Sequence, residues 1–174
     1  MTKVMTGRLI LRPLNKEELE LAISDFNELE KELGVEVTKD NIGPREQSVY
    51  KIRLKDMKLN IDKFEWYTPW VVIDKKLNRI IGAIMIKNYP DNKGEVTIGY
   101  ALQEPFRRQG FMREAVTGII DWIFNNQDVK SVIADTMKDN IPSHGLLQQL
   151  GMTIYKEDDE CYWWKLENNK DKAC

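Results

Sequence analysis

One stretch limits what this chain can fold into more than any other. Glu95-Val96-Thr97-Ile98-Gly99-Tyr100 reads as a strand. Arg107-Arg108-Gln109-Gly110 is a short basic turn that ends in glycine. Beyond it Met112, Ala115, Ile119, Trp122 and Ile123 recur on one helical face, with Arg113, Glu114, Thr117, Asp121 and Asn125 on the other. A strand that feeds a basic, glycine-containing turn and then a helix makes an anion cradle. The first N–H groups of a helix have no partner within it, and the macrodipole adds about half a positive charge there. Phosphate is the usual guest. A short apolar run, Ser131-Val132-Ile133-Ala134, follows, so the unit is strand–helix–strand, which is expected to be parallel and right-handed.

The remaining segments read as a frame for this unit. Arg8 to Leu14 is a first strand, placed at a sheet edge because Pro13 donates no ladder bond. Asn15 caps a helix through Leu19, Ala22, Ile23 and Phe26, with Glu17 and Glu18 in its first turn. A short helix ends near Leu33 at Gly34. Pro44 starts another through Leu59, whose pattern is only partly one-sided and suits an arm over a cleft. Glu65 to Ile73 and Arg79 to Ile86 form a hairpin, and Glu95 to Leu102 is the fourth strand. Asp139 or Asn140 caps a helix closed by Gly151, and Met152–Tyr155 with Glu160–Leu166 makes a last hairpin over Asp158-Asp159.

A chain of 174 residues fits one domain, read as 1–167 with a polar tail 168–174. The formal net charge of -2 argues against sequence-independent nucleic-acid binding. Cys161 and Cys174 have neither zinc-site spacing nor a disulfide framework, which points to a reduced, cytoplasmic setting. No run approaches the roughly 18 apolar residues of a membrane span, and the N-terminus does not read as a signal peptide.

Several motifs in one order resemble the GNAT superfamily of acetyl-CoA-dependent N-acetyltransferases. Arg107-Arg108-Gln109-Gly110-Phe111-Met112 matches the Q/R-x-x-G-x-G/A turn, with Met112 departing from the usual small residue. Thr6-Gly7-Arg8-Leu9-Ile10-Leu11-Arg12-Pro13-Leu14, Ile98-Gly99-Tyr100, Asn140-Ile141-Pro142-Ser143 and Leu150-Gly151-Met152 look like the ribosomal-protein N-acetyltransferase-like (RimJ/RimL-like) branch. The resemblance implies an α/β fold with a central mixed, mostly antiparallel sheet of six or seven strands. Helices flank that sheet, it splays between its fourth and fifth strands, and acetyl-CoA enters the wedge. No metal is implied. The partners implied are acetyl-CoA and an amine acceptor, without nucleic acid or membrane and with a homodimer left open.

On that reading Arg107, Arg108, Gln109, Gly110, Phe111, Met112 and Arg113 hold the CoA pyrophosphate, through backbone amides and charge-assisted bonds. Tyr100, Ala101 and Leu102 take pantetheine as an added strand would be taken. By resemblance, an N–H near Ala101 or Leu102 polarises the thioester carbonyl. The acceptor amine needs a base. Glu95 shares a strand face with Thr97 and Gly99, and serves as that base through water or is a surface charge. Many relatives use a tyrosine seven residues after the Asn, where this chain has Leu147. Ser143, typical of this branch, is the candidate acid for the CoA thiolate, against a plain position early in a helix. Asn140 bonds pantetheine or caps the helix. His144, the lone histidine, reads as packing. Trp66 and Tyr67 are candidates to line the acceptor pocket, with Asp62, Glu65 and Glu95 as negative charge.

The acceptor is then a protein or peptide α-amine, or a small-molecule amine. An aminoglycoside-type antibiotic acetyltransferase and a non-catalytic acyl-CoA sensor are the alternatives. A nucleotide-binding module is disfavoured by the lack of a Gly-x-Gly-x-x-Gly or Walker loop.

Overall fold

The structure is a computed structural model and describes residues 2–169. The described strands form one sheet in the order β1-β2-β3-β4-β5-β6-β8-β7. They are β1 Val4–Met5, β2 Leu9–Pro13, β3 Pro69–Asp74, β4 Arg79–Ile86, β5 Glu95–Leu102, β6 Ser131–Met137, β7 Thr153–Glu157 and β8 Cys161–Glu167. Neighbours are antiparallel except β5 and β6, which are parallel as the strand–helix–strand pattern requires. The helices are α1 Lys16–Ser24, α2 Phe26–Glu32, α3 Pro44–Leu59, α4 Phe111–Ile123 and α5 Ile141–Gln149.

Each face of the sheet has its own core. On one face, Leu9, Leu11, Trp70, Val72, Ile84, Val96 and Ile98 pack under Ala115, Val116, Ile119, Ile120 and Ile123 of α4, with Leu147 of α5 beside them. On the other, Val71, Ile73, Ile80, Ala83 and Met85 meet Leu19, Ala22, Phe26, Leu29, Tyr50 and Met57 of α1–α3. Odd and even residues of β3 thus serve different cores, which is why every one of its positions is buried. A glycine lets α4 approach the N-terminal strands closely, since a Cβ at Gly118 would meet Thr6, Val4 and Leu11 side chains at 3.1–3.3 Å.

Local signals explain most boundaries. Asn15 and Glu18 form a reciprocal capping box that starts α1. Glu18 is buried there because Arg12 binds it through both guanidinium nitrogens. Asp25 ends α1 and caps α2, which splits the expected single helix at Phe26. Gly34 takes φ 67° just after α2.

Several expectations are corrected. The first strand is not the edge, because β1 pairs with Ile10 and Leu11, although Pro13 lies past the reach of β1. That two-residue strand adds an eighth to the seven read from the sequence. Glu65 and Trp66, expected to open a strand, belong instead to a 3-10 helix, Ile61–Trp66, and the strand starts at Pro69. Trp66 turns into the α4-side core against Trp122 and Tyr89, at 4.8 and 5.2 Å between ring centroids. The helix α3 is no free arm, for Tyr50 and Met57 are buried in the second core. Of the polar tail, Asn168 is tied down, donating from its N–H to Lys130 O at 2.7 Å. Residues 170–174, Cys174 included, lie outside the described residues. Among the described residues no helix is long and apolar enough to cross a membrane.

Candidate active site

The sheet opens at one point. Residues Glu95, Val96, Thr97 and Ile98 of β5 pair with Ser131, Val132, Ile133 and Ala134 of β6, and pairing stops there. The strand β5 runs on against β4 as far as Leu102, and β6 runs on against β8 as far as Met137. Gly99–Leu102 and Asp135–Met137 therefore form the two walls of a wedge. These are the strands between which the family resemblance implies a splay.

The start of α4 lies at the wide end of this wedge. A 3-10 turn, Glu104–Phe106, carries the chain off β5 into the basic turn. Arg107 is extended, Arg108 takes φ 60° and Gly110 takes φ 78°. A left-handed arginine is uncommon and costs about 1–3 kcal/mol, a strain that concentrates at binding sites. Gly110 is the N-cap and supplies no capping side chain, so the first amides of α4 are left for a ligand or water. Met112, the one residue that departs from the family's turn, is buried in the α4-side core. Burial in that core accounts for its side chain without placing it in the turn.

The side chains around the turn hold it in shape. Arg107 Nε donates to Leu102 O at 3.0 Å, and Gln109 Nε2 donates to Pro105 O at 2.8 Å. From the opening strand, Arg8 Nη1 donates to Gln109 O at 3.0 Å, and its guanidinium lies 4.2 Å from the centre of the Phe111 ring. Glu114 in the first turn of α4 accepts from Arg8 N and Arg8 Nε, both at 2.7 Å, and from Thr6 Oγ1. Burial pushes the Glu114 carboxyl up, but the bonds from Thr6 and Arg8 outweigh it and hold its pKa below the usual carboxylate range. Arg8, Thr6 and Glu114 escaped the sequence reading. The Arg8–Glu114 separation of 106 residues gives no local signal. Arg108 and Arg113 are exposed and free to reach an anion's oxygens.

The second helix start at the wedge is that of α5. Asn140 is its N-cap and accepts from Ser143 N at 3.4 Å. Ser143 faces Tyr100 of β5. The Tyr100 hydroxyl is buried with no hydrogen bond of ordinary geometry. Burial drives its pKa up, while the nearby Ser143 hydroxyl acts in the opposite direction. A buried hydroxyl without a partner is rare in native folds and points to an unoccupied bond. The structure thus brings together Tyr100, Ala101, Leu102, the turn 107–113, Asn140 and Ser143.

It does not bring Glu95 to them. Glu95 lies at the closed end of β5, opposite Ser131, and its carboxylate takes Lys165 Nζ at 2.6 Å. That bond raises the Lys165 pKa. His144 is a packing residue, its Nε2 3.0 Å from Met137 O and its ring beside Tyr162 and Trp164. A cavity of about 760 Å³ lies elsewhere, between β1 and the polar face of α4. It touches the cradle only through Arg8, Gly110, Arg113 and Glu114. Among the described residues no group of three or more His, Cys, Asp or Glu is placed to hold a metal.

Known proteins share this fold. Residues 8–153 fit the family model described as "Acetyltransferase (GNAT) domain". The chain is 25% identical over 166 residues to the uncharacterized N-acetyltransferase YjdG of Bacillus subtilis (strain 168), covering 94% of this chain and 97% of that one. Its fold is shared with the ribosomal-protein-S5-alanine acetyltransferase of Vibrio fischeri, with TM-score 0.71, 20% identity and 98% of both chains covered. It is shared also with RimL, a ribosomal L7/L12 α-N-protein acetyltransferase solved in complex with coenzyme A. There the TM-score is 0.68, the identity 13%, and 95% of this chain and 98% of that one are covered.

Proposed function

We propose that the chain, which belongs to the acetyltransferase (GNAT) family and is an acyltransferase, moves acetyl from acetyl-CoA directly to a primary amine in a ternary complex. The observation that carries this reading is a coincidence of position. The strands β5 and β6 part after Ile98 and Ala134, and the uncapped start of α4 follows at the open end. A thioester on a pantetheine arm ending in pyrophosphate has a matching shape, and the RimL complex with coenzyme A supports the fit.

The amides of Phe111, Met112 and Arg113 take pyrophosphate oxygens, and Arg108 and Arg113 add charge-assisted bonds. The open edge of Tyr100–Leu102 pairs with pantetheine amides. A backbone N–H near Ala101 or Leu102 is aimed at the thioester oxygen, where a preorganised donor is worth about 2.7–4 kcal/mol as charge develops on it. The amine nitrogen attacks the carbonyl carbon, the C–S bond breaks and the sulfur needs a proton. Ser143 passes on to it the proton that the nitrogen sheds, so its own hydroxyl is restored, with the Tyr100 hydroxyl beside it kept protonated by burial. The fold shared with ribosomal-protein acetyltransferases favours a protein or peptide α-amine as acceptor.

Calorimetry with acetyl-CoA tests the donor half. Wild type binds, and a folded Gly110→Val variant binds about tenfold more weakly or worse, a loss near 1.4 kcal/mol. A valine there meets both the left-handed backbone and Arg8, whose Nη2 would lie 3.4 Å from the new Cβ. Equal affinity in the variant overturns the cradle.

A further inference from the structure

The wedge has a second face, away from α4, and that face is uncovered. Helices α1–α3 pack on β2–β4 there, through Val71, Ile73, Ile80, Ala83 and Met85. Over β5 and β6 the same face presents Ala101, Asp135 and Met137 to solvent. Asp135 is the first residue of β6 beyond Ala134, the last that pairs with β5, so it stands where the strands part, across from Gly99.

One group is already seated at that point. Lys87, just past the end of β4, reaches across β5, and its Nζ donates to Asp135 Oδ1 at 3.2 Å. Its path runs over Gly99, where an added Cβ would lie 3.3 Å from Lys87 Cε. The other charges near this face are engaged with one another. Arg53 donates to Lys87 O at 3.0 Å and pairs with Asp56 at 2.8 Å, and Lys165 is bound to Glu95. A primary ammonium therefore rests on a carboxylate at the mouth of the wedge, on the side opposite the cradle.

We infer that Asp135 is the ammonium-binding residue for the acceptor, and that Lys87 holds the acceptor's place until an amine arrives. The inference rests on the wedge as the thioester site. Both partners of the pair are more than a third exposed, at 37% and 42%, so the bond is weak and readily exchanged. An incoming primary amine makes the same bond, and the displaced Lys87 moves into water. Donor and acceptor then enter from opposite faces of one sheet, so both can be bound at once.

A seated internal amine also makes a prediction that needs no knowledge of the natural acceptor. Once deprotonated, Lys87 Nζ attacks the thioester carbon. The C–N bond forms, the C–S bond breaks, and CoA leaves as the thiol with the proton shed by the nitrogen. The full chain is incubated with acetyl-CoA alone, and acetyl-lysines are mapped by mass spectrometry. Calorimetry on the same sample reports acetyl-CoA binding. The label is expected at Lys87 ahead of the other lysines. It falls at least about tenfold in Asp135→Asn with acetyl-CoA affinity unchanged, and it is suppressed by excess n-butylamine. If acetyl-CoA does not bind, the wedge reading itself fails. If it binds but the label spreads evenly, or ignores both Asp135→Asn and n-butylamine, the ammonium site is overturned alone.

Discussion

Tyr100 near the open end of β5 and Ser143 in the first turn of α5 face each other across the wedge, and the buried Tyr100 hydroxyl has no hydrogen bond of ordinary geometry. A buried, unpaired hydroxyl costs about 1–3 kcal/mol. Tyr100→Phe is therefore expected to leave the melting temperature of the ligand-free protein unchanged or higher. Ser143→Ala is expected to lower kcat about a hundredfold while acetyl-CoA affinity stays the same. Unchanged turnover in Ser143→Ala removes the serine from the proton path.

Met112 separates packing from binding at the cradle. Its side chain lies in the α4-side core with Ala115 and Val116. Met112→Ala is expected to cost about 2–5 kcal/mol in denaturant unfolding. The affinity of the folded variant for CoA should hold, because the backbone amide does the binding. Loss of affinity without loss of stability contradicts that division.

The Arg8–Glu114 clasp predicts a pH dependence. The Glu114 carboxyl has a folded pKa below the ordinary value of about 4.3. The contribution to stability is thus complete above that ordinary value and is lost as pH falls through the depressed folded one. Glu114→Gln should lower stability at neutral pH by about 1 kcal/mol, a small figure because the Arg8 side chain is half exposed. The gap between variant and wild type should start to narrow as pH falls below the ordinary carboxylate value and close once Glu114 is protonated in the folded protein. A gap that persists after the folded carboxyl has been protonated assigns the effect to packing.

Glu95 distinguishes a base from a strut. Its bond to Lys165 at the closed end of β5 predicts that Glu95→Gln keeps most of the turnover. Loss of about a hundredfold in kcat/KM, with the acid limb of the pH profile removed, makes it the base instead.

How much of this was legible depended on the distance over which each signal acts. The cradle was readable because Gly110 and the α4 pattern are local. The seven longer strands were readable because turn residues bracket each of them. The strand β1 has only two residues and carries no period. Trp66 and Tyr67 have the composition of a strand, but Trp66 is drawn out of register by Trp122 from α4. The apolar run that marks β6 in the sequence stops at Ala134. The strand continues because β8 pairs with Asp135, Thr136 and Met137, an interaction over some 25 residues that no local pattern reports. That extension hid Asp135, and the Lys87 bridge with it. Arg8 and Glu114 were hidden in the same way, since only the packing of α4 on the opening strands brings them together.

The central claim is direct transfer from acetyl-CoA to a primary amine at this wedge. Free CoA thiol, followed over time with acetyl-CoA and a panel of peptide and small-molecule amines, tests it most directly. The account predicts thiol release that depends on both the amine and Ser143, with one acetyl group on the amine for each thiol formed. Tight acetyl-CoA binding with no amine-dependent release across a broad panel would contradict it.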